Sequence, residues 1–315
     1  MIDTFTEIPV LVTGAAGFIG SHLANRLAAE GAIVHAVGRP GGDWSRLDES
    51  EHIHRHEVDL AHSDDVASLL NRTQPVKIYH LAANADVSRG FGTLDKAVGD
   101  LDVTLNLIRC LPDLACDCMV VTGTCEEYGK NPTPFREDMA PMPVSPYSAS
   151  KTASVSFALM YAKTMDLPIV MVRPFLTYGP GQGMNRFIPT AIRATLEEKE
   201  FPMTGGEQTR EFNYVDDIVD GYVKASITPD AIGEIFNIGN SEERSLRSVV
   251  ERISVLAGKP LRAEFGAVPY RPGETWSFYS DSSKARKLLG WKPQIEFDEG
   301  LKRTIEWYRK HGYES

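Results

Sequence analysis

The sequence predicts an α/β fold, a doubly wound parallel sheet joined to a smaller, discontinuous α/β substrate-binding part. Three observations carry this: short apolar runs alternate with helical patterns, a glycine-rich turn follows the first run, and loops rich in Gly and Pro take over after Pro174. Strands are expected at Pro9 to Thr13, Ile33 to Val37, Lys77 to Leu81, Cys118 to Thr122 and Ile169 to Arg173, since continuous apolar runs between helices read as buried parallel strands. Helices are expected at Phe18 to Glu30, Asp64 to Asn71, Thr93 to Leu111 and Pro146 to Met165. The loops YGPGQGM, MTGGEQ and YRPGE mark substrate-binding segments, and EIFNIGN (Glu234 to Asn240) is expected to return to the main sheet. The expected division is therefore 1–174 plus about 211–239 for the sheet domain, and about 175–210 plus 240–315 for the second domain.

Composition narrows the class of protein. The chain has 315 residues, 42% hydrophobic and 24% charged, which excludes a disordered, collagen-like or disulfide-scaffold protein. A net charge of −10 opposes nucleic acid and anionic membranes, so any anionic small substrate needs locally placed arginines. Cys110, Cys116, Cys118 and Cys125 have neither disulfide density nor paired metal spacing, which fits a reducing cytoplasm. MIDTFTEIPV lacks the basic start and apolar run of a signal peptide, and no window reaches the roughly 18 apolar residues of a membrane span. There is no HExxH or paired-His motif, and no metal site is expected.

The first chemical motif is VLVTGAAGFIGSHLANRL. Gly14, Gly17 and Gly20 stand between a strand and a helix, so the turn Gly14, Gly17, Phe18, Ile19 and Gly20 is expected to cradle a pyrophosphate at a helix N-terminus, as in a Rossmann-type domain. The spacing GxxGxxG is slightly wider than the GxGxxG fingerprint, and glycines also serve plain turns and close packing. Sites that prefer NAD place an acid about 20 residues further on, whereas an Arg there accommodates the 2′-phosphate of NADP. The sequence has Gly38 and Arg39 there, so NADP(H) is expected, with NAD as the alternative and a solvated loop role for Arg39 as the bland one.

The second motif is VSPYSASK. Ser145 is placed as an N-cap and Pro146 as the first helical residue, which sets Tyr147 and Lys151 one turn apart on one face. A neighbouring ammonium and the positive helix end both favour phenolate in a residue whose ordinary pKa is about 10. The pair suits proton transfer during hydride exchange at a carbinol or carbonyl, although an exposed surface pair has the same spacing.

GAAGFIG, HLAA (80–83), TGTCEEYG (122–129), PYSASK, RPFLTYGPGQ (173–182), REFNYVDD (210–217), RPGE (271–274) and LGWKP (289–293) follow one another in an order that resembles the extended short-chain dehydrogenase/reductases of the nucleotide-sugar branch. The resemblance spans about residues 9 to 293. It implies that Tyr147 is the acid/base on a sugar oxygen, that Lys151 holds the nicotinamide ribose and lowers the tyrosine pKa, and that Thr124 hydrogen-bonds the reacting oxygen. It also implies that Asp59 and Leu60 flank the adenine, that Ala82 and Ala83 line the cofactor cleft, and that Arg210 and Arg271, with Arg186 as a weaker candidate, contact the nucleotide diphosphate. Taken alone, Arg210 could equally pair with Asp216 or Asp217.

Three reactions share this machinery. Related dehydratases often carry Asp-Glu after the Thr, whereas this chain carries Cys125 and Glu126; Glu126 is either a base toward sugar C5 or a polar turn residue. The leading expectation is an NADP(H)-dependent reductase of a nucleotide-linked 4-keto-6-deoxy sugar. The alternatives are an epimerase with tightly bound NAD(P) and a 4,6-dehydratase using Glu126. A cofactor-binding scaffold without turnover would have lost Tyr147, Lys151 or Thr124, and all three are present. Leu176 and Asp100 stand where the family usually has asparagine. His22 is expected on a helix surface, KRTIEWYRKHGY as a solvated amphipathic helix, and the helices around 101–111 and 148–161 as a four-helix homodimer seam, by analogy only.

Overall fold

The strands β1 (Pro9–Thr13), β2 (Ile33–Gly38), β3 (Ile53–Glu57), β4 (Lys77–His80), β5 (Cys118–Thr122), β6 (Ile169–Pro174) and β7 (Ile235–Ile238) form one sheet in the order β7-β6-β5-β4-β1-β2-β3. All six neighbouring pairs are parallel. The structure is a computed structural model that describes residues 5–313 apart from 261 and 272, so the first four residues and Pro272 of RPGE lie outside it. The helices are α1 (Phe18–Ala29), α2 (Ser63–Thr73), α3 (Leu94–Cys110), α4 (Pro146–Thr164), α5 (Phe187–Leu196), α6 (Val215–Ile227), α7 (Leu246–Ala257), α8 (Ser283–Leu288) and α9 (Phe297–His311).

Side chains alternate across a strand, so Val10 and Val12 join the core beneath α1 and α6, while Leu11 joins the one beneath α2, α3 and α4. The same parity sends Val120 one way and Met119 and Val121 the other. Helices on both faces leave no polar side to the central strands, which is why they read as unbroken apolar runs. The α1–α6 core continues without interruption into Ile192 of α5, Val250 of α7 and Leu301 of α9. One apolar core thus runs through both of the domains expected from the sequence.

The sequence reading missed β3. Its segment IHRHE is the sheet's edge strand and only partly buried, so it carries no apolar run. Edge strands favour charged and polar residues, which discourage pairing with another chain. The strand brings His54 opposite His35 and His56 within 3.0 Å of it, ring nitrogen to ring nitrogen, a histidine pair that no sequence motif announces. Burial lowers both His35 and His56, His35 to about 4.

The sheet order reverses between β1 and β4, and a polar knot occupies that junction. Thr13 Oγ1 accepts the amides of Leu81 and Ala82 and lies 2.8 Å from His80 Nδ1, while His80 Nε2 lies 3.0 Å from Thr104 Oγ1. Thr104 in turn donates to the Asp100 carbonyl. The chain is self-consistent for a neutral imidazole with its proton on Nε2, and burial accordingly lowers His80 to about 3.

A buried ion pair fixes the segment after β5. Glu127 and Arg173 have side chains 0% and 3% exposed, and Glu127 Oε2 accepts from Arg173 Nη2 at 2.7 Å and Nε at 3.0 Å. The other oxygen of Glu127 accepts the Thr124 amide at 2.7 Å, and Arg173 Nη1 donates to the Tyr128 hydroxyl, which donates to Asn237 on β7. One carboxylate thus ties the β5 turn to β6 and, through Tyr128, to β7.

Arg173→Met is expected to cost about 3–5 kcal/mol in urea unfolding, because it leaves a buried carboxylate unpaired, with Glu127→Gln partly rescuing it. A fully additive double variant would show that the pair is not coupled. A second expectation concerns acid. Bases held neutral in the fold take up protons only on unfolding, so the contribution of His35 is complete above pH 6.5 and is lost as pH falls toward about 4. His35→Gln should flatten the pH dependence of stability across that window by up to about 1.4 kcal/mol per pH unit. An unchanged slope would contradict the assignment.

Candidate active site

Each glycine of the first turn has a separate steric reason. Gly14 has φ +69°, and a Cβ there would lie 2.8 Å from the Ala82 nitrogen. A Cβ on Gly20 would lie 2.2 Å from the Gly14 carbonyl oxygen, so α1 can approach the turn only without side chains. Gly17 is the N-cap of α1 and provides no side-chain cap, which leaves the first-turn amides of Phe18, Ile19 and Gly20 for an anion. The side chains of Phe18 and Ile19 pack on the core, so only their backbone can serve that role.

A cleft of about 890 Å³ runs from this turn across the C-terminal ends of the strands, and Gly14, Gly17, Arg39, Asp59, Leu60, Ala82 and Ala83 all line it. It sits where the strand order reverses, the usual ligand position in open α/β sheets. The glycine turn and its free amides fit a dinucleotide. Arg39 is exposed at the rim. Glu57 at the end of β3 is engaged by the Gly41 amide and the Trp44 indole, and Trp44 lies against Gly38. Asp59 accepts the Ala61 amide. The sequence reading missed Arg46 and Lys96, which also line the cleft, Arg46 anchored to the Gly181 carbonyl at 2.9 Å. Asp100, noted as a departure, is a cleft residue whose carboxylate accepts the Asn84 amide at 2.8 Å.

At the far end α4 begins as expected, with Ser145 as N-cap in a reciprocal bond to Ser148 and Pro146 in the first turn. Tyr147 lies beside Thr124, whose hydroxyl pulls the phenol pKa down. Lys151 is buried one turn later and donates to the Thr122 carbonyl at 2.9 Å, and burial lowers it to about 8. The expected lowering of the tyrosine by this lysine is not what the protein groups produce. Burial drives the Tyr147 phenol upward and outweighs the pull of Thr124, while the Lys151 ammonium is spent on a carbonyl.

The turn after Thr124 sorts its three residues by direction. Cys125 is buried among Tyr128, Phe135, Phe175 and Phe278, and burial pushes its thiol well above the ordinary range. Glu127 faces Arg173. Glu126 has its amide on Thr124 Oγ1 at 3.3 Å; burial raises its carboxyl, and Arg89, Arg210 and Arg186 oppose that rise. Arg89 has no motif, lies in an exposed loop, and was missed.

The three expected arginines are disposed differently. Arg210 pairs with Glu274 at 3.0 Å and donates to the Thr209 and Thr275 carbonyls, rather than pairing with Asp216 or Asp217. Asp217 instead accepts the Gln294 and Ile295 amides. Arg186 is the N-cap of α5 and reaches the Ala85 carbonyl at 3.3 Å. Arg271 is exposed in the loop before Glu274 and does not join the group around Glu126. Leu176 packs against the core. His22 is not a bare surface residue: its Nε2 lies 2.9 Å from the Pro180 carbonyl and ties α1 to the following loop. Among the described residues, no group of three or more His, Cys, Asp or Glu is arranged to hold a metal, and no helix is long and apolar enough to cross a membrane.

Comparison with known proteins gives the same site a family. The profile described as "NAD dependent epimerase/dehydratase family" matches residues 10–239. The chain is 34% identical to UDP-glucose 4-epimerase of Mycolicibacterium smegmatis, covering 95% of this chain and 98% of that one. It is 31% identical to dTDP-glucose 4,6-dehydratase 1 of Escherichia coli, covering 95% and 92%. The structure superposes with TM-score 0.86 on UDP-glucuronic acid 4-epimerase from Bacillus cereus in complex with UDP-glucuronic acid and NAD, at 30% identity and covering 96% and 99%. With the glycine turn, the Thr124–Tyr147–Lys151 corner and full-length similarity in agreement, this chain belongs to the NAD-dependent epimerase/dehydratase family of extended short-chain dehydrogenase/reductases, enzymes that work on nucleotide sugars.

Proposed function

We propose that the chain is an NADP(H)-dependent reductase acting at C4 of a nucleotide-linked 4-keto-6-deoxy sugar. The observation that carries this reading is Arg39 at the rim of the dinucleotide cleft with no acid in its place, together with Tyr147 beside Thr124 and one helical turn before Lys151. When bound, the reduced nicotinamide supplies hydride. Tyr147 gives its phenolic proton to the C4 oxygen as charge develops there, and Thr124 fixes that oxygen by hydrogen bonding. Lys151 orients the nicotinamide ribose, and its charge favours the phenolate left behind. The amides of Phe18, Ile19 and Gly20 hold the pyrophosphate, and Asp59 and Leu60 flank the adenine. Arg39 meets the 2′-phosphate, supported by the absence of any acid in its place. Arg210, Arg186 and Arg271 bind the nucleotide diphosphate, for which Arg210 exchanges Glu274 for phosphate oxygens.

Two observations weigh on the alternatives. Cys125, where related dehydratases often carry Asp, is turned into an aromatic cluster with its thiol pushed up, which disfavours the dehydratase. Epimerisation uses the same three residues with a retained cofactor, and the similarity to the Mycolicibacterium smegmatis epimerase favours it as the second reading. The homodimer is proposed through α3 and α4, which pack together and leave Val98, Phe157 and Met160 exposed.

Purified protein with NADPH and a panel of nucleotide 4-keto-6-deoxy sugars is expected to show stoichiometric loss of reduced-nicotinamide absorbance. No loss with any sugar, together with a copurified cofactor that does not exchange, would favour the epimerase instead. Tyr147→Phe should lower kcat by at least about 100-fold while sparing NADPH binding; surviving activity would refute its role. Arg39→Ala should weaken NADPH about 10- to 100-fold and leave NADH nearly unchanged, as expected for one charge-assisted contact to a phosphate. Equal effects on both cofactors would place the 2′-phosphate elsewhere.

A further inference from the structure

We infer that Glu126 reads the charge of the sugar, excluding nucleotide sugars that carry a carboxylate and favouring neutral or cationic ones that offer it a hydrogen-bond donor. This rests on the proposed substrate class. The turn after Thr124 turns Cys125 and Glu127 into the protein and leaves Glu126 as the residue whose side chain is uncommitted. Its amide donates to Thr124 Oγ1 at 3.3 Å, and its carboxylate lies close enough to Tyr147 to push the phenol upward. Among the described residues it makes no side-chain hydrogen bond and no ion pair within 4.0 Å, although it is largely withdrawn from water. Its oxygens keep contact with water, which a bound sugar would displace, so the sugar must then supply the donor or leave the carboxylate unpaired.

The arginines near it do not fill that need. Arg210 is committed to Glu274 and two carbonyls, Arg186 reaches the Ala85 carbonyl, and Arg89 stands exposed on its loop. They place positive charge around Glu126, suited to a diphosphate, with Glu126 as a negative pole two residues after Thr124. A carboxylate at sugar C6, adjacent to the reacting region, would meet that pole. Two like charges about 6 Å apart at an effective dielectric of about 20 repel enough to weaken binding roughly 100-fold. A hydroxyl, methyl or ammonium group at the same place meets no such penalty. The solved relative that holds UDP-glucuronic acid is therefore a guide to the fold of this chain and not to its sugar.

The test is calorimetric titration of the full chain, saturated with NADP⁺, with the pairs UDP-glucose and UDP-glucuronate, and GDP-mannose and GDP-mannuronate, with UDP and GDP alone as controls. The wild type is expected to prefer the neutral sugar by about 100-fold, and Glu126→Gln to reduce that preference below about 10-fold by strengthening the hexuronate while leaving the free nucleotide within twofold. Equal wild-type affinities for both members of a pair would overturn the inference without any variant. An unchanged preference in a folded Glu126→Gln protein, or in Glu126→Ser, would overturn it too. If no nucleotide binds at all, the proposed function falls and takes this inference with it.

Discussion

The Glu127–Arg173 ion pair is the constraint on which the placement of Thr124 depends. Its carboxylate spends one oxygen on a guanidinium from β6 and the other on the Thr124 amide, so the hydroxyl that faces Tyr147 is placed by a charge buried in the sheet. Burying two charges costs several kcal/mol per ion, offset only where geometry is good and the remaining donors are satisfied. Both conditions hold here, since Arg173 also donates to Tyr128 and Tyr128 to Asn237. A Cβ on Gly123 would come within 2.4 Å of the same carboxylate, which accounts for the glycine between β5 and Thr124.

The other end of the site is organised by polar groups of a different kind. Around the junction of β1 and β4, Thr13, His80 and Thr104 pass hydrogen bonds through a neutral imidazole, and this holds Ala82 against the Gly14 turn. The glycine-turn cleft and the Thr124 turn thus rest on two buried networks, one neutral and one charged, at the C-terminal edge of a single sheet. Preorganisation of this sort positions donors before any ligand arrives, so little reorganisation is needed during reaction.

Charge at the site runs against the charge of the whole. The chain carries −10, yet the cleft and its neighbourhood collect Arg39, Arg46, Lys96, Arg89, Arg186 and Arg210. Exposed charges more than a Debye length apart are screened, about 8–10 Å at physiological salt, so local guanidinium groups govern an anionic ligand while the net charge governs bulk partners. Glu126 lies within that positive field and, unlike Asp59 and Asp100 of the cleft, accepts no backbone amide through its carboxylate.

Local features of this protein were legible in the sequence because they depend on near neighbours. The apolar runs of β1, β4, β5 and β6, the glycines of the first turn, and Tyr147 and Lys151 four apart behind Ser145 and Pro146 all follow from spacing within one element. What the sequence could not determine depends on burial and on residues far apart in the chain. Arg210 meets Glu274 across 64 positions, and Glu127 meets Arg173 across 46. The edge strand β3 was invisible because exposed strands need no apolar pattern, and Arg89 because a loop residue has no period. The rise in the Tyr147 pKa was missed because spacing shows a nearby lysine but not the desolvation that outweighs it. The sequence alone determined the fold and the family; the tertiary structure decided which of the candidate site residues are paired and which are buried, because those are properties of enclosure and not of order along the chain.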